Sequence, residues 1–179
     1  MVHHSSLKEG LFGDTTIEVQ PCSLADAQRL VECLHRHHGK VAGHKFSLMA
    51  RVLDRLSRAE AGVVIVGRPV SRHLDDGRTL EITRLATRSF PNIASKLLAS
   101  AAREVRKRGF SRVITYTLAT ESGASLIAAG FSADFRTKGG SWNSPSRART
   151  DKHPTGPKTR WVRHLEARAP AVPPKIKPG

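Results

Sequence analysis

The segment that decides the fold is residues 79–118, which read TLEITRLATRSFPNIASKLLASAAREVRKRGFSRVITYTL. Apolar and polar residues alternate over residues 79–86, which predicts a half-buried strand. Over residues 92–108 the apolar residues recur at helical spacing and Gly109 follows as a C-terminal cap, which predicts an amphipathic helix. Residues 112–118 predict another strand. The segment is therefore expected to be a strand–helix–strand unit.

The same periodicity rules predict the elements on both sides of this unit. Ser23 is a good N-cap for a helix running to about residue 37, and Asp75-Asp76-Gly77 is a turn signal. Residues 53–60 are expected to form a polar connection between two strands. Further strands are predicted at 16–20, 46–52, 61–66, 131–136 and 160–164, and a short helix at 122–129.

Short connections and right-handed crossovers favour one compact α/β fold, a mixed central sheet flanked by helices. We expect this domain to span residues 14–166. Residues 1–13 are expected to form a flexible N-terminus, and the proline- and lysine-rich residues 167–179 a disordered tail.

The charge is strongly positive and unevenly distributed. The chain has 30 Lys and Arg against 15 Asp and Glu, a net charge of +15 and a pI near 11.0. From residue 136 onward there are eleven Lys and Arg and two acids. A fold does not need this excess, so a polyanion is the expected partner, with DNA or RNA ahead of a membrane because no amphipathic helix carries the charge. A basic solubility tail is the alternative interpretation.

The sequence gives no sign of a membrane or secretory destination. Apolar runs stay well short of the roughly 20 residues that a bilayer-spanning helix needs. The N-terminal residues lack the basic and apolar regions of a secretory signal. We therefore expect a cytoplasmic protein in which Cys22 and Cys33 are free thiols.

Four of the nine histidines lie between residues 35 and 46, at His35, His37, His38 and His44. Imidazoles cluster where protons are moved, a metal is held or an anion is bound. Their spacing fits no zinc template, whereas a site of two histidines and a carboxylate can hold iron, with Asp151 as the favoured acid. The alternative is that these histidines cap the helix and bind solvent or phosphate.

Three single side chains are further candidates for catalysis. Arg84, on the predicted strand beside Glu81, is a candidate site cation or one half of a surface ion pair. Tyr116 is the single tyrosine, and its hydroxyl can donate, accept or ligate if the ring faces the site. Ser122 stands at a helix start, where it is a catalytic candidate or a cap. A Gly-x-Ser-x-Gly elbow is absent from the sequence, which argues against a serine hydrolase.

The basic C-terminal quarter contains both tryptophans. Arginines next to tryptophan are the combination that neutralises phosphates and stacks on bases. Trp161 is equally well explained as a core residue. The predicted nucleic-acid site consists of Trp142, Arg147, Arg149, Lys152 and Arg160.

The element order resembles that of the GNAT-type acyltransferases, and residues 16–165 more narrowly resemble the Mom-type DNA modification proteins of Mu-like phages. The residues that carry the narrower resemblance are His37 and His38 after the first helix, residues 80–84 on the central strand, Asn92 and Ser95 at the following helix, and Tyr116. The resemblance implies a GNAT-like fold, a phage or prophage protein in a bacterial cytoplasm, and modification of adenine in DNA by an acyl-type substituent. It also implies iron held by His37, His38 and Asp151, although the Mom-type pattern has Tyr at one of these positions.

The loop at residues 87–95 departs from the GNAT pattern. GNAT enzymes have a glycine-rich Arg/Gln-x-x-Gly-x-Gly/Ala loop here, whose amides receive the pyrophosphate of acyl-CoA. This chain reads TRSFPNIAS, without glycine, which argues against standard use of acetyl-CoA. Asn92 and Ser95 at the helix N-terminus, with Arg84, are predicted to position acetyl-CoA or a related acyl donor.

These observations predict a GNAT-like transferase that modifies a DNA base, with His38, Tyr116, Arg84 and Ser122 as catalytic candidates. Two alternatives remain open at this point. One is an acetyl-CoA-dependent N-acetyltransferase acting on a protein or a small amine. The other is a non-catalytic nucleic-acid-binding phage protein, which would use the same basic surface.

Overall fold

The computed structural model describes residues 15–34, 41, 43–53, 58–140 and 156–165. The predicted terminal segments 1–13 and 167–179 lie outside this range. In chain order the elements are β1 (Thr16–Pro21), α1 (Leu24–Leu34), β2 (Phe46–Leu53), β3 (Arg58–Gly67), a 3₁₀ turn (Arg72–Leu74), β4 (Thr79–Thr87), α2 (Ile93–Lys107), β5 (Arg112–Leu118), α3 (Ala124–Ala128), β6 (Ser132–Thr137) and β7 (Lys158–His164).

The strands form one seven-stranded sheet in the order β1-β2-β3-β4-β5-β7-β6. Every neighbouring pair is antiparallel except β4 and β5, which are parallel and joined through α2. The prediction of a mixed central sheet flanked by helices is confirmed. No helix in the described part of the chain is long and apolar enough to cross a membrane.

Helix α1 begins where the sequence predicts. The Ser23 hydroxyl accepts the amide N–H of Asp26 at 3.1 Å and donates to the Asp26 carboxylate at 2.6 Å, which is a reciprocal cap. Ala27, Leu30 and Val31 are buried against β2, β3 and β4. We call this side of the sheet the α1 face.

Helix α2 covers the opposite side of the sheet, which we call the α2 face. Its apolar stripe is the predicted one and includes Ile93, Leu97 and Val105, all fully buried. Gly62 on β3 lets the start of this helix come close, because a Cβ there would lie 2.9 Å from the Ala86 carbonyl oxygen and 3.0 Å from Cγ2 of Ile93. The larger of the two cores therefore forms between α2 and the sheet.

Two boundary predictions were wrong. Residues 53–60 are not a polar connection throughout, because Leu53 ends β2 and β3 already begins at Arg58. Polar residues are accommodated at this strand end by exposed ion pairs, from Arg58 to Glu18 at 2.7 Å and from Arg29 to Glu60 at 2.9 Å. Helix α3 begins at Ala124 rather than at residue 122, because Gly123 takes a left-handed conformation with φ +66°.

Candidate active site

Strands β4 and β5 separate soon after they pair. The pairing is confined to three positions, Thr79 with Arg112, Leu80 with Val113 and Glu81 with Ile114, although both strands continue well beyond them. At the first position past the ladder, the hydroxyl of Thr115 donates to the carbonyl oxygen of Ile82 at 3.0 Å. The facing edges of the two strands therefore open into a gap in the middle of the sheet.

A β-bulge at Thr83 places two charged side chains of β4 on one face. Arg84 lies opposite Ile65 and Glu81 lies opposite Gly67, and Ile65 and Gly67 share the α1 face of β3. Residues three apart in a regular strand point to opposite faces. Thr83 is an extra residue in β4 and shifts the alternation by one position. Glu81 and Arg84 therefore both project on the α1 face beside the gap.

Glu81 is a buried carboxylate in this site. It is 6 % exposed, and its Oε2 accepts the amide N–H of Val70 at 2.9 Å. Burial raises the pKa of Glu81 above its ordinary value of 4.5, while the Val70 hydrogen bond and the nearby charge of Arg84 oppose the rise. Glu81 is therefore a better proton acceptor than an exposed glutamate.

Arg84 is half-buried next to Glu81. Its Nη1 donates to the carbonyl oxygen of Thr83 at 2.7 Å, which holds the guanidinium along its own strand. Burial lowers the pKa of Arg84 below its ordinary value, and the charge of Glu81 opposes this. Glu81 is buried and Arg84 is half-buried, so neither side chain lies on a fully exposed strand surface.

Tyr116 projects on the same α1 face. Ile114 pairs with Glu81, and Tyr116 is two residues further along β5, past the end of the ladder. Burial raises the pKa of Tyr116 above its ordinary value of 10.0, the charge of Glu81 adds to the rise, and a hydrogen bond with Arg160 opposes it. Tyr116 therefore stays protonated at neutral pH and is placed to donate.

A cavity of about 450 Å³ lies between the end of β4 at Thr87, the start of α2 and helix α3. Asn92 and Ser95 both contribute to its wall and Arg84 does not. The role of these three residues in positioning a donor stays a prediction. Its lining consists of Thr87, Arg88, Ser89, Phe90, Asn92, Ala94, Ser95, Ala124, Ser125 and Ala128.

Asn92 replaces the glycine that this turn usually requires. It adopts the left-handed conformation with φ 63°, and its carbonyl oxygen accepts the Ser95 hydroxyl at 3.1 Å and the Lys96 amide at 3.0 Å. Asparagine tolerates this conformation better than most residues because its short polar side chain adds little steric strain. The chain therefore enters α2 through a tight turn without glycine, and the first helical N–H groups remain available to an anion.

Other predicted site residues lie at the margin of this region. Ser122 is exposed, and its hydroxyl accepts the amide N–H of Ala124 at 3.4 Å, which is a capping arrangement. His44 is half-buried, and a Cβ built on Gly67 would lie 3.9 Å from its Cα. Since Gly67 pairs with Glu81, the end of the histidine segment reaches the same α1 face.

The remaining predicted ligands lie outside the described residues. These are His35, His37, His38 and Asp151 of the metal and proton-transfer prediction, and Trp142, Arg147, Arg149 and Lys152 of the nucleic-acid prediction. Among the residues that the structure describes, no group of three or more His, Cys, Asp or Glu is close enough to hold a metal. Cys22 and Cys33 are free, as expected.

Trp161 is a core residue. It is 6 % exposed, packs on the α2 face in the main core, and donates from Nε1 to the Thr117 hydroxyl at 3.0 Å. A Cβ on Gly123 would clash with the Trp161 ring, so the start of α3 rests directly on the indole. Arg160, next to it in sequence, projects on the α1 face instead, where its Nε and Nη2 each donate to the Asp134 carboxylate at 2.9 Å.

Sequence reasoning did not single out Glu81, Asp134 or Phe135 as site residues. An acid that alternates with apolar residues along a strand looks solvent-exposed in the sequence, whereas Glu81 lies on a central strand of the sheet and is buried. Asp134 and Phe135 are neighbours on β6, and a second register shift brings both toward Arg160. A usable signal in the sequence was the single aromatic residue in the short and mostly polar segment at residues 132–137.

Comparison with known proteins supports the fold. No protein-family model matches the sequence, and no curated protein matches it. An IAA acetyltransferase from Bacillus cereus ATCC 14579 superposes with a TM-score of 0.59 at 15% identity, covering 84% of this chain and 100% of that one. A GNAT superfamily phosphinothricin acetyltransferase from Sinorhizobium meliloti, solved with AcCoA, superposes with a TM-score of 0.59 at 16% identity, covering 89% of this chain and 96% of that one. The ribosomal-protein-S18-alanine N-acetyltransferase of Escherichia coli superposes with a TM-score of 0.56 at 10% identity, covering 88% of this chain and 99% of that one.

These similarities define the architecture of this chain as the GNAT acetyltransferase fold. The predicted fold class is therefore confirmed. At this level of identity the likeness extends to the fold alone.

Replacing Glu81 by Gln is expected to change how stability depends on pH. Because the folded-state pKa of Glu81 is raised above 4.5, its contribution is fully present below the unfolded-state pKa and is lost as pH rises through the folded-state pKa. Glutamine keeps the acceptor for Val70 and does not titrate. The unfolding free energy of Glu81→Gln, relative to the unsubstituted protein, should therefore rise from pH 4 to pH 7 in urea titrations. A pH-independent difference would contradict a raised pKa.

Proposed function

We propose that the protein is an acyltransferase that moves an acyl group from a coenzyme A thioester to an amino group on a DNA base. The single observation that carries this proposal is the separation of β4 and β5 after three paired positions, beside a cavity at the start of α2. An extended donor would lie in the gap, with its anionic end at the helix N-terminus.

The residues at the start of α2 fit the anionic part of such a donor. The N–H groups of Ile93, Ala94 and Ser95 belong to the first turn, which has no carbonyl partners within the helix and carries the positive end of the helix dipole. Asn92 supplies the turn that glycine supplies in the usual loop. When bound, the donor supplies an acyl carbonyl activated by its thioester bond.

Three side chains on the α1 face would carry the chemistry. Glu81 accepts the proton lost by the attacking amine, directly or through one water, because its raised pKa suits a base. Tyr116 gives a proton to the leaving sulfur as the carbon–sulfur bond breaks and the carbon–nitrogen bond forms. Arg84 stabilises negative charge that develops on the acyl oxygen. His38 and Ser122 remain predicted participants.

The charge of the chain supports DNA as the acceptor. A net charge of +15 favours a polyanion over a neutral amine, and adenine is the base that the Mom-type resemblance implies. The solved structures with this fold are named for other acceptors, including IAA, ribosomal-protein-S18-alanine and phosphinothricin. An N-acetyltransferase acting on a protein or small amine is therefore the second candidate.

The iron site at His37, His38 and Asp151 stays a prediction, because all three residues lie outside the described part of the chain. Elemental analysis of purified protein and of a His38→Ala variant would test it. Stoichiometric iron that is lost in the variant is the expected result.

The proposed function is tested by incubating the protein with acetyl-CoA and DNA, then digesting the DNA and measuring nucleoside masses. An acylated nucleoside, absent when the donor is omitted and absent with Glu81→Gln, is expected. Thiol release in the same reaction gives an independent rate. Standard nucleosides alone, together with acetylation of an added peptide or small amine, would favour the second candidate instead.

A further inference from the structure

An aromatic side chain is exposed on the same face as the proposed catalytic residues. Phe135 on β6 is 55 % exposed, although β6 is otherwise polar and lies at the sheet edge. Its register partner on β7 is Arg160, whose guanidinium carbon lies 5.3 Å from the centre of the Phe135 ring. A guanidinium group over an aromatic ring at this distance is attracted to the ring, so Arg160 supports Phe135 while the Phe135 side chain remains largely exposed.

Asp134 holds the guanidinium of Arg160 in a fixed plane. Nε donates to Oδ1 at 2.9 Å and Nη2 donates to Oδ2 at 2.9 Å, which is a two-pronged ion pair. Asp134 and Phe135 are adjacent and would point to opposite faces in a regular strand, but the register shift between Ala133 and Phe135 allows both to reach Arg160. The orientation of Arg160 is therefore set before any ligand arrives.

This surface continues into the proposed active site. Arg160 pairs across the sheet with Tyr116, and Tyr116 follows Ile114, the partner of Glu81. Phe135, Arg160, Tyr116 and Glu81 therefore project on the α1 face of four adjacent strands, β6, β7, β5 and β4. Neighbouring strands are about 4.8 Å apart, so Phe135 and Tyr116 are separated by about 10 Å.

Helix α1 packs on β2, β3 and β4, so the row from Tyr116 to Phe135 extends past the helix. An exposed aromatic ring supported by Arg160, which itself pairs with Tyr116, suits a flat ligand that can stack on the ring. A lysine side chain or a chain terminus does not stack, whereas every nucleobase has a π-face that stacks on aromatic rings and on arginine. The net charge of +15 favours a ligand that also carries phosphates.

We propose that Phe135 and Arg160, with Arg160 fixed by Asp134, form a stacking platform that holds an unpaired nucleobase with its edge toward Tyr116. The inference rests on the proposed function, since it names how the acceptor base is held. Bases inside a duplex are inaccessible to such a surface, so the ligand is a base in a single strand or one turned out of the helix.

The test compares two fluorescently labelled single strands of about 12 nucleotides, one with bases and one abasic, without donor. Both titrations use anisotropy at about 150 mM salt. Stacking is expected to give the base-bearing strand at least about 5-fold tighter binding by the full-length protein. Phe135→Leu keeps an apolar side chain but loses the ring. The affinity for the base-bearing strand should therefore fall toward the affinity for the abasic strand, which should stay unchanged.

Two further variants test whether the preference for bases depends on the Phe135 ring and on the orientation of Arg160, or only on exposed apolar surface. Ile127→Ala removes another exposed apolar side chain, 61 % exposed on α3, and should keep the preference because α3 packs against α2 on the opposite side of the sheet from Phe135. Asp134→Asn keeps the shape of the residue but loosens Arg160, and should reduce the preference by less than Phe135→Leu does.

The outcomes distinguish the platform from the proposed function. Equal binding of the two strands by the unsubstituted protein, an unchanged preference in Phe135→Leu, or no binding of either strand would overturn the platform. Acylation of DNA with an unaltered KM in Phe135→Leu would overturn it while leaving the proposed function intact. A base preference that depends on Phe135, without any acylation of DNA, would support the platform and count against the proposed transfer.

Discussion

The Tyr116→Phe variant is expected to lower kcat for acyl transfer by about 10²-fold to 10⁴-fold, the range typical for loss of a positioned general acid. The substitution removes one oxygen and leaves the ring in place on β5, so KM for the donor should change little. Because burial raises the pKa of Tyr116 above 10.0, the hydroxyl carries its proton at neutral pH and is ready to donate. Steady-state kinetics with acetyl-CoA provide the measurement.

A change of donor distinguishes catalysis from a structural effect of the same substitution. Protonation of the leaving sulfur matters less when the thiol is a better leaving group. The defect of Tyr116→Phe should therefore shrink when acetyl-CoA is replaced by an acetyl thioester of an acidic aromatic thiol. An equal defect with both donors, or a lowered melting temperature, would show that Tyr116 acts through the fold and does not donate the proton.

The Trp161→Ala variant is expected to lose about 3–5 kcal/mol of unfolding free energy, as is usual for truncation of a large buried aromatic. The indole is buried in the main core, supports Gly123 at the start of α3, and satisfies the Thr117 hydroxyl. The cavity that the substitution leaves cannot collapse fully, because β5 and β6 hold β7 from both sides. Urea unfolding followed by circular dichroism measures the loss.

The chain offers a matched control for this prediction one strand away. Phe135 is an aromatic residue of β6 that is 55 % exposed, so Phe135→Ala should change the unfolding free energy by about 1 kcal/mol or less. Trp161→Phe keeps an aromatic ring in the core, so its loss of unfolding free energy should lie between the losses of Trp161→Ala and Phe135→Ala. Comparable losses in Trp161→Ala and Phe135→Ala would contradict the assignment of Trp161 to the core.

The placement of Trp161 also separates two interpretations that the sequence left open. Tryptophan among arginines suits both a stacking surface and a core residue under a charged surface. Alternation along β7 resolves this, because Trp161 and Arg160 project on opposite faces. Only the register of β7 against β5 tells which of the two residues faces the site.

The sequence by itself determined the order and type of the elements. Alternation at residues 79–86, the apolar stripe of α2 and the capping serine at residue 23 each act over a few residues, so they can be recognised without tertiary structure. The same local chemistry identified Asn92 and Ser95 at the start of a helix and Tyr116 on a strand. It also indicated a mixed sheet, since the order of the elements leaves few compact arrangements.

The tertiary structure decided which of these residues share a site. The gap between β4 and β5 depends on where two strands distant in sequence stop pairing, and the common face of Glu81 and Arg84 depends on one extra residue at Thr83. Strand register and bulges arise from the packing of whole layers, and a shift of one residue reverses every side chain beyond it. For this reason the residue types of the candidate site were visible in the sequence, whereas their grouping on the α1 face was not.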